Sequence, residues 1–498
     1  MPLRNLVYLA IATLISVACY QVVAKNRHAN LFAEAIEIIE REALHPHSSE
    51  DLFIAAMNGM LSELDIHSQF IHGSSFRQFN EDIKQEFGGV GIRYSVDPDS
   101  KRIVVLAPIP GSPAFRAGVQ IGDEIVAVDG QSVSGNESQV NSMIRGPVGQ
   151  SVKLTLLRQG VTVDKQMERA IIKTETVGGD HRLPDGRWRH FIQEYPRIGY
   201  IQIDQFAERT KDELELALRE IRDQVDGLII DLRDNTGGLL NSAVDICDLF
   251  IDSGELIVSI RRRDETSSEI RAKSEPIVST DLPLVVLINR SSASASEIVA
   301  GCLQDHGRAI VIGEQSYGKG TVQNLIPMQR GVSALKLTTS SYWRPSGKPI
   351  DRRDESTKEN GIWGVQPNQG FQIKLTPEEK VTAMQYRSLR GLAGMVGADD
   401  EQLQQAFDRM RRSLERIQAN EPDADDLKEI QRPFPEDDEV PEKLDGRQKQ
   451  NVESPKTPAT DPSSTPADTA PRWDEFVDPT LQKAIDYLKP FISHADVT

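Results

Sequence analysis

The sequence predicts a multidomain α/β (α+β) protein with an α/β domain at its centre. Three observations carry this expectation. Between residues 196 and 375, short apolar runs alternate with helical patterns, as in a sheet covered by helices. Between residues 85 and 170, short strands are separated by glycine-rich turns, as in a small β domain. Helical spacing dominates on either side, and 498 residues, at roughly 100–200 per domain, suffice for two to four domains.

Leu6 to Val23 holds no charged residue, with Arg4 before it and Lys25 and Arg27 after it. Its eighteen residues are at the short edge for a membrane span and slightly long for a signal-peptide core. Residues 1–24 therefore read as a signal peptide or membrane anchor, with the body outside the cytoplasm, periplasmic or in the cell envelope. A buried core helix is the bland alternative, but a run starting at residue 6 has no earlier fold to pack into. Val22-Val23-Ala24 is a poor cleavage site, and Ser16-Val17-Ala18-Cys19 is a weak lipobox look-alike, so cleavage stays open.

Residues 28–84 read as a helical region. Ser48 and Asp51 have capping-box spacing, and Leu52, Ala56, Met60 and Leu64 follow at helical intervals. Residues 85–170 contain strands at Ile103–Leu106, Gly122–Gly130 and Val152–Leu156, the second closing in a tight Asp129-Gly130 turn, and a short helix from Ser138 to Arg145. Residues 171–375 contain strands at Ile198–Phe206, Leu228–Ile230, Leu284–Ile288, Ala309–Ile312 and Leu335–Ser340. Their helices are one capped by Thr210 with Glu213, one from Leu239 to Phe250, and one ending near Asp305. Residues 376–420 form a helical extension opened by Pro377, and residues 421–472 are Pro/Ser/Thr-rich and acidic, with too little apolar surface to offset ordering entropy. That composition predicts a disordered linker before a C-terminal helix within 473–498.

Composition narrows the function. With 38% hydrophobic and 27% charged residues the chain is neither collagenous, wholly disordered nor polytopic in a membrane. A net charge of −18 argues against a nucleic-acid binder, which needs a basic surface. Asp399 to Asp478 holds 22 acids against 11 bases, so −11 of that charge sits in one stretch. Cys19, Cys247 and Cys302 are too few for a disulfide framework and read as buried thiols, with a Cys247–Cys302 bridge left open. No CxxC or His cluster suggests a metal, and no cofactor is expected.

The chemistry concentrates between Asn289 and Glu297, a Ser/Ala run between a buried strand and a helix. A serine at such a turn is placed as a nucleophile, and the unpaired first amides of the helix can hold an oxyanion. A run that merely caps is the commoner meaning of this stretch taken alone. His306 lies twelve residues beyond Ser294 along the same helix, roughly 18 Å at 1.5 Å per residue, too far to be its base. Lys319 follows a strand that can return beside the serine strand. A lysine at its usual pKa of about 10.4 is a poor base, but enclosure disfavours its charged form. Gly313-x-x-x-x-Gly318-Lys319 also has phosphate-loop spacing. Against that alternative, Gly320 stands where a metal-binding hydroxyl belongs, and Thr321-Val322-Gln323-Asn324 alternates like a strand.

These elements closely resemble the carboxyl-terminal processing proteases, the tail-specific, Prc-like serine peptidases. The resemblance rests on residues 292–301 (Ser-Ala-Ser-Ala-Ser-Glu-Ile-Val-Ala-Gly), on Gln304-Asp305-His306-Gly307-Arg308-Ala309, on Gly318-Lys319-Gly320-Thr321-Val322-Gln323, and on Leu232-Arg233-Asp234-Asn235-Thr236-Gly237-Gly238. Residues 85–165 resemble the family's inserted PDZ domain through Gly111-Ser112-Pro113-Ala114, Gly122-Asp123-Glu124-Ile125 and Arg145-Gly146-Pro147. Leu64-Asp65-Ile66-His67-Ser68 resembles an element of its N-terminal helices.

The resemblance implies a ClpP/crotonase-like α/β catalytic core with Ser294 as nucleophile, Lys319 as general base and Gln323 orienting the lysine. It also implies Asp305 in support and an oxyanion hole from Ala295 with Gly237 or Gly238. In the PDZ domain, Gly88, Gly89, Val90 and Gly91 offer a nest of amides for a C-terminal carboxylate. Val90, Ile92, Val140 and Ile144 are either a pocket for the terminal side chain or core. The implied partners are protein or peptide substrates and, through the N-terminal segment, a membrane. A homo-oligomer or adaptor stays open, and a silent PDZ scaffold is the competing reading. Thr236, Ile66 and Asn368 depart from the family pattern, which has Pro, Pro and Asp there.

Overall fold

The computed structural model describes residues 27–393 and 476–492, apart from positions 98–99, 134–136, 184, 265, 329–330, 355–356 and 358–360, together with scattered positions between 4 and 14. The hydrophobic segment expected at 6–23, the end of the helical extension after 393 and the linker expected at 421–472 thus lie largely or wholly outside the described residues. No helix among the described residues is long and apolar enough to cross a membrane.

The chain divides into two units. One contains the N-terminal helices, residues 259–268 and the hairpin 320–343. The helix Ser49–Ser62 is capped as expected, Ser48 Oγ accepting from Asp51 N at 3.1 Å. Met57, Leu61 and Phe70 form its core with Leu335 and Leu337 of the hairpin. After the helix, Asp65 accepts from His67 N (2.7 Å), Ser68 N (3.0 Å) and Ser68 Oγ (2.7 Å), a tight turn that explains the residue types of this motif. Ile66, where the family has proline, is 67% exposed.

The second unit holds the small β domain and the sheet bearing Ser294. The β domain is a meander of β1 (Ile92–Val96), β2 (Ile103–Pro108), β3 (Glu124–Val128), β4 (Ser151–Arg158) and β5 (Val161–Glu168), each antiparallel to the next. Asp129 (φ 47°) and Gly130 (φ 78°) make the expected two-residue turn, whose left-handed conformations favour Asp-Gly. Val90, Val140 and Ile144 are at most 5% exposed and belong to this domain's core; Ile92 is half-buried against it. Of the two readings of these four residues, the core reading describes the three buried ones. Gly88 and Gly89 end a short ladder with Ala170–Lys173 that joins the domain to the rest of the unit.

The main sheet has parallel order β6 (Tyr195–Ile203), β7 (Gly227–Asp231), β8 (Leu284–Ile288) and β9 (Ile310–Gly313). Helices α1 (Thr210–Ile221), α2 (Leu240–Cys247) and α3 (Ala295–Asp305) connect or follow these strands. β7 and β8 are buried at every position, which is why they read as unbroken apolar runs. Two local expectations are corrected. Thr210 begins α1 without capping it: its hydroxyl accepts from Ala207 N, and Glu213 accepts from Thr176 N instead. The helix expected to reach Phe250 ends at Cys247.

The helical extension starts as α4 (Pro377–Ala393), boxed by Thr376 and Glu379, which exchange hydrogen bonds of 2.7 and 3.2 Å. The C-terminal α5 (Pro479–Leu488) buries Ala484, Ile485 and Leu488 against Ile198, Tyr200 and Ile229 of β6 and β7.

Candidate active site

Ser294 stands at the junction of β8 and α3, 9% exposed, with φ 55° and ψ −110°. A positive φ at a non-glycine residue costs of order 1–3 kcal/mol and persists only where the surroundings enforce it. Glu297, one helical turn on, is the enforcer. Its Oε2 accepts from Ser294 N at 2.8 Å and from Lys319 N at 2.8 Å. Its Oε1 accepts from Ser316 Oγ and Gly318 N, both at 2.6 Å. One fully buried carboxylate therefore ties the serine turn to the Gly318-Lys319 loop. Burial pushes Glu297 above the ordinary carboxylate range, and the hydrogen bonds from Ser316, Gly318, Ser294 and Lys319 oppose that rise. Sequence reasoning gave Glu297 no role, although Ser294-x-x-Glu297 is a capping-box pattern and could have flagged it.

Lys319 is half-buried and sits just before a β-strand, Thr321–Met328. A strand at this place, rather than a helix, is incompatible with a phosphate-binding loop. Gly318 is needed beside the lysine: at φ 85°, a Cβ there would lie 2.4 Å from Trp363.

The loop 232–238 is clamped by Asn235, fully buried and also missed from the sequence. Its Nδ2 donates to Ile203 O (2.7 Å), and its carbonyl accepts from Ala293 N (3.1 Å) and Ser296 Oγ (2.8 Å). Its Oδ1 accepts from Gly237 N at 2.8 Å. That bond engages the amide of Gly237, one of the two glycines open as an oxyanion donor. The amides of Gly238 and Ala295 make no hydrogen bond with the described residues, and Gly238 is exposed. Gly237 contributes space instead: a Cβ there would lie 2.9 Å from Ser294 Cβ and 3.1 Å from Ala295 N. Thr236, in place of the family's proline, is exposed and leaves the clamp intact.

Asp305 lies at the other end of α3, gripped by Arg344 through Nε (3.1 Å) and Nη2 (2.5 Å). Its place is structural. His306 caps that same end, with Nε2 2.7 Å from Leu256 O, remote from Ser294 as its helical position requires. Asn368 does the work open to an aspartate: its Oδ1 accepts from Val311 N (2.9 Å) and Gln304 Nε2 (2.8 Å). Gln323 belongs to the first unit, where its amide donates to Thr321 Oγ1 (2.8 Å) and Thr338 Oγ1 (3.3 Å). The structure thus brings Ser294, Lys319, Ala295 and the glycine pair together through Glu297 and Asn235, and leaves Asp305 and the PDZ residues elsewhere in the unit.

Comparison with known proteins matches residues 197–369 to peptidase family S41 and residues 104–158 to a PDZ domain. The carboxy-terminal-processing protease of Bartonella bacilliformis is 37% identical over 327 residues, spanning 64% of this chain and 71% of that protein. The carboxy-terminal processing protease CtpB of Bacillus subtilis is 33% identical over 334 residues, 66% of this chain and 67% of its own length. Among solved structures, a photosystem II D1 C-terminal processing protease is 28% identical, covering 70% of this chain and 94% of that one, with a TM-score of 0.40.

Proposed function

This chain belongs to the carboxy-terminal processing proteases of peptidase family S41, and from that premise we propose that it is a serine endopeptidase using a Ser294–Lys319 dyad on substrates held by their C-termini. The observation that carries the dyad is Glu297, whose single Oε2 accepts both the Ser294 and the Lys319 amides at 2.8 Å. In this reading Lys319 Nζ, as the free amine, takes the Ser294 hydroxyl proton while Oγ attacks the scissile carbonyl. The amides of Ala295 and Gly238 hold the oxyanion. Lys319 then delivers its proton to the leaving amine, and water hydrolyses the acyl-serine ester.

The PDZ domain would read the substrate's terminal carboxylate on the amides around Gly88–Gly91. Leaving such a buried group unpaired costs about 1–3 kcal/mol. Amidating a substrate's C-terminus should therefore slow cleavage roughly tenfold or more. Equal cleavage of free-acid and amidated peptides would remove the recognition half of the proposal. Cleavage undiminished in Ser294→Ala would remove the catalytic half, and a correctly folded wild type without peptidase activity would favour a silent PDZ scaffold. The uncharged run Leu6–Val23 supports a body outside the cytoplasm, delivered or anchored by that segment. Cell fractionation tests this, and a cytoplasmic location would overturn it.

A further inference from the structure

Arg233 opens the loop that ends at Gly238, and it is only 4% exposed. Its Nε and Nη2 bond Asp231 at 2.6–3.0 Å, and Tyr200 Oη donates to the same carboxylate at 2.7 Å. The remaining arm, Nη1, points away from β7 and donates to both oxygens of Asp478, at 3.0 and 2.7 Å. Asp478 is 245 residues further along the chain and 4% exposed. The same carboxylate caps α5, accepting from Thr480 N (3.0 Å) and Leu481 N (3.2 Å). At the other end of α5, Leu488 packs on Gly227, where a Cβ would lie 3.0 Å away. The helix thus runs antiparallel along β7, from the Asp231 end to the Gly227 end. Ten helical residues rise about 15 Å and five strand residues about 17 Å, so α5 matches the strand it covers.

We propose that Asp478 is a positioning residue for the oxyanion loop, making the C-terminal segment 476–492 an activating element of the catalytic sheet. The inference rests on the catalytic reading above. Arg233 is the second residue after β7 and is followed at once by Asp234, at φ 64°, and by the clamp residue Asn235. With Asp478 in place, all three guanidinium nitrogens of Arg233 have carboxylate partners and its side chain has one position. Without its negative charge, the buried guanidinium keeps only Asp231 as a carboxylate partner and Nη1 has at most one neutral acceptor, so the arginine turns toward water. That movement pulls on the chain four residues before the Gly237 carbonyl, which accepts from Phe206 N at 3.1 Å and sets the aim of the Gly238 amide.

The test compares Asp478→Asn with Leu488→Ala in the full-length protein. Leu488→Ala loosens the far end of α5 without touching Arg233, so it controls for loss of helix packing. Asp478→Asn should lower kcat roughly ten- to a hundredfold with KM within twofold, since the oxyanion forms only after substrate is bound. Asp478→Glu, which keeps the charge, should recover part of that loss. Leu488→Ala should lower thermal stability while keeping kcat within twofold well below its melting temperature. If Asp478→Asn keeps wild-type kcat, or if Leu488→Ala loses as much kcat as Asp478→Asn, the positioning role is refuted. The peptidase reading fails separately, if Ser294→Ala remains active.

Discussion

Replacing Glu297 by glutamine tests the centre of the site with one atom changed. The carboxylate accepts four hydrogen bonds, three from backbone amides and one from Ser316 Oγ. An amide must turn its NH2 toward one pair of these donors. Facing Ser294 and Lys319, it meets two N–H groups that cannot accept. Facing Ser316 and Gly318, it meets one hydroxyl that can rotate to accept and one N–H that cannot. The second orientation is cheaper, and it leaves the Gly318 N–H buried without a partner, at about 1–3 kcal/mol. Relief from burying a charge offsets part of the weakening of the other three bonds. A net loss near 2 kcal/mol, felt as slackening between the serine turn and the lysine loop, corresponds to roughly 10- to 100-fold in kcat. Peptide cleavage under saturating substrate measures it, with urea unfolding as the stability check. The pH profile adds a second reading. Burial raises Glu297 above its ordinary value of 4.5, so its contribution to activity should fade on the acid side above that pH. Its effect on folding has the opposite sense: a carboxyl raised on folding costs stability as pH climbs from 4.5 through its folded value. Glu297→Gln should flatten both limbs. A variant with kcat within twofold of wild type and an unchanged acid limb would refute the reasoning.

Four further outcomes are expected. Ser294→Ala and Lys319→Ala should each abolish cleavage, and the double variant should be no worse than either, because the two act as one unit. Lys319→Arg should fail to restore the rate at any pH, since a guanidinium does not give up its proton, and wild-type kcat should rise with pH; a flat profile in that enzyme under chemistry-limited conditions contradicts the base assignment. Gly238→Ala would place a Cβ 2.1 Å from Phe206 O, so the loop must shift and kcat should drop at least tenfold, read from steady-state kinetics with melting temperature as control. For Asp65, burial raises its carboxyl, but hydrogen bonds from Ser68, His67 and Thr338 prevail and hold it below 3.8. Its stabilisation should be full above that value and fade as pH falls through the folded value. The melting-temperature gap between wild type and Asp65→Asn should therefore close in acid, and a gap independent of pH would count against it.

The sequence by itself determined the strands of the main sheet, the turn at Asp129-Gly130 and the start of α3, because burial pattern, turn chemistry and capping are local properties written in neighbouring residues. It also determined which serine and which lysine to examine, through motif order along residues 232–323. It could not assign Glu297, whose Ser-x-x-Glu spacing is that of any capped helix; only the return of the Ser316–Lys319 loop reveals a carboxylate with four donors. Nor could it tell the amides of Gly237 and Gly238 apart, since both glycines permit a positive φ and only the fold shows that Asn235 takes the first. Sequence does not separate pocket from core at the four PDZ positions for a related reason: periodicity marks an apolar face without saying what meets it. Residues 481–488 read as an amphipathic helix from spacing alone, but its docking on β7 through Asp478 and Arg233 was invisible, because an ion pair closing 245 residues of chain leaves no periodic trace. Tertiary structure decided these points, as it is the only level at which residues distant in sequence share one buried charge.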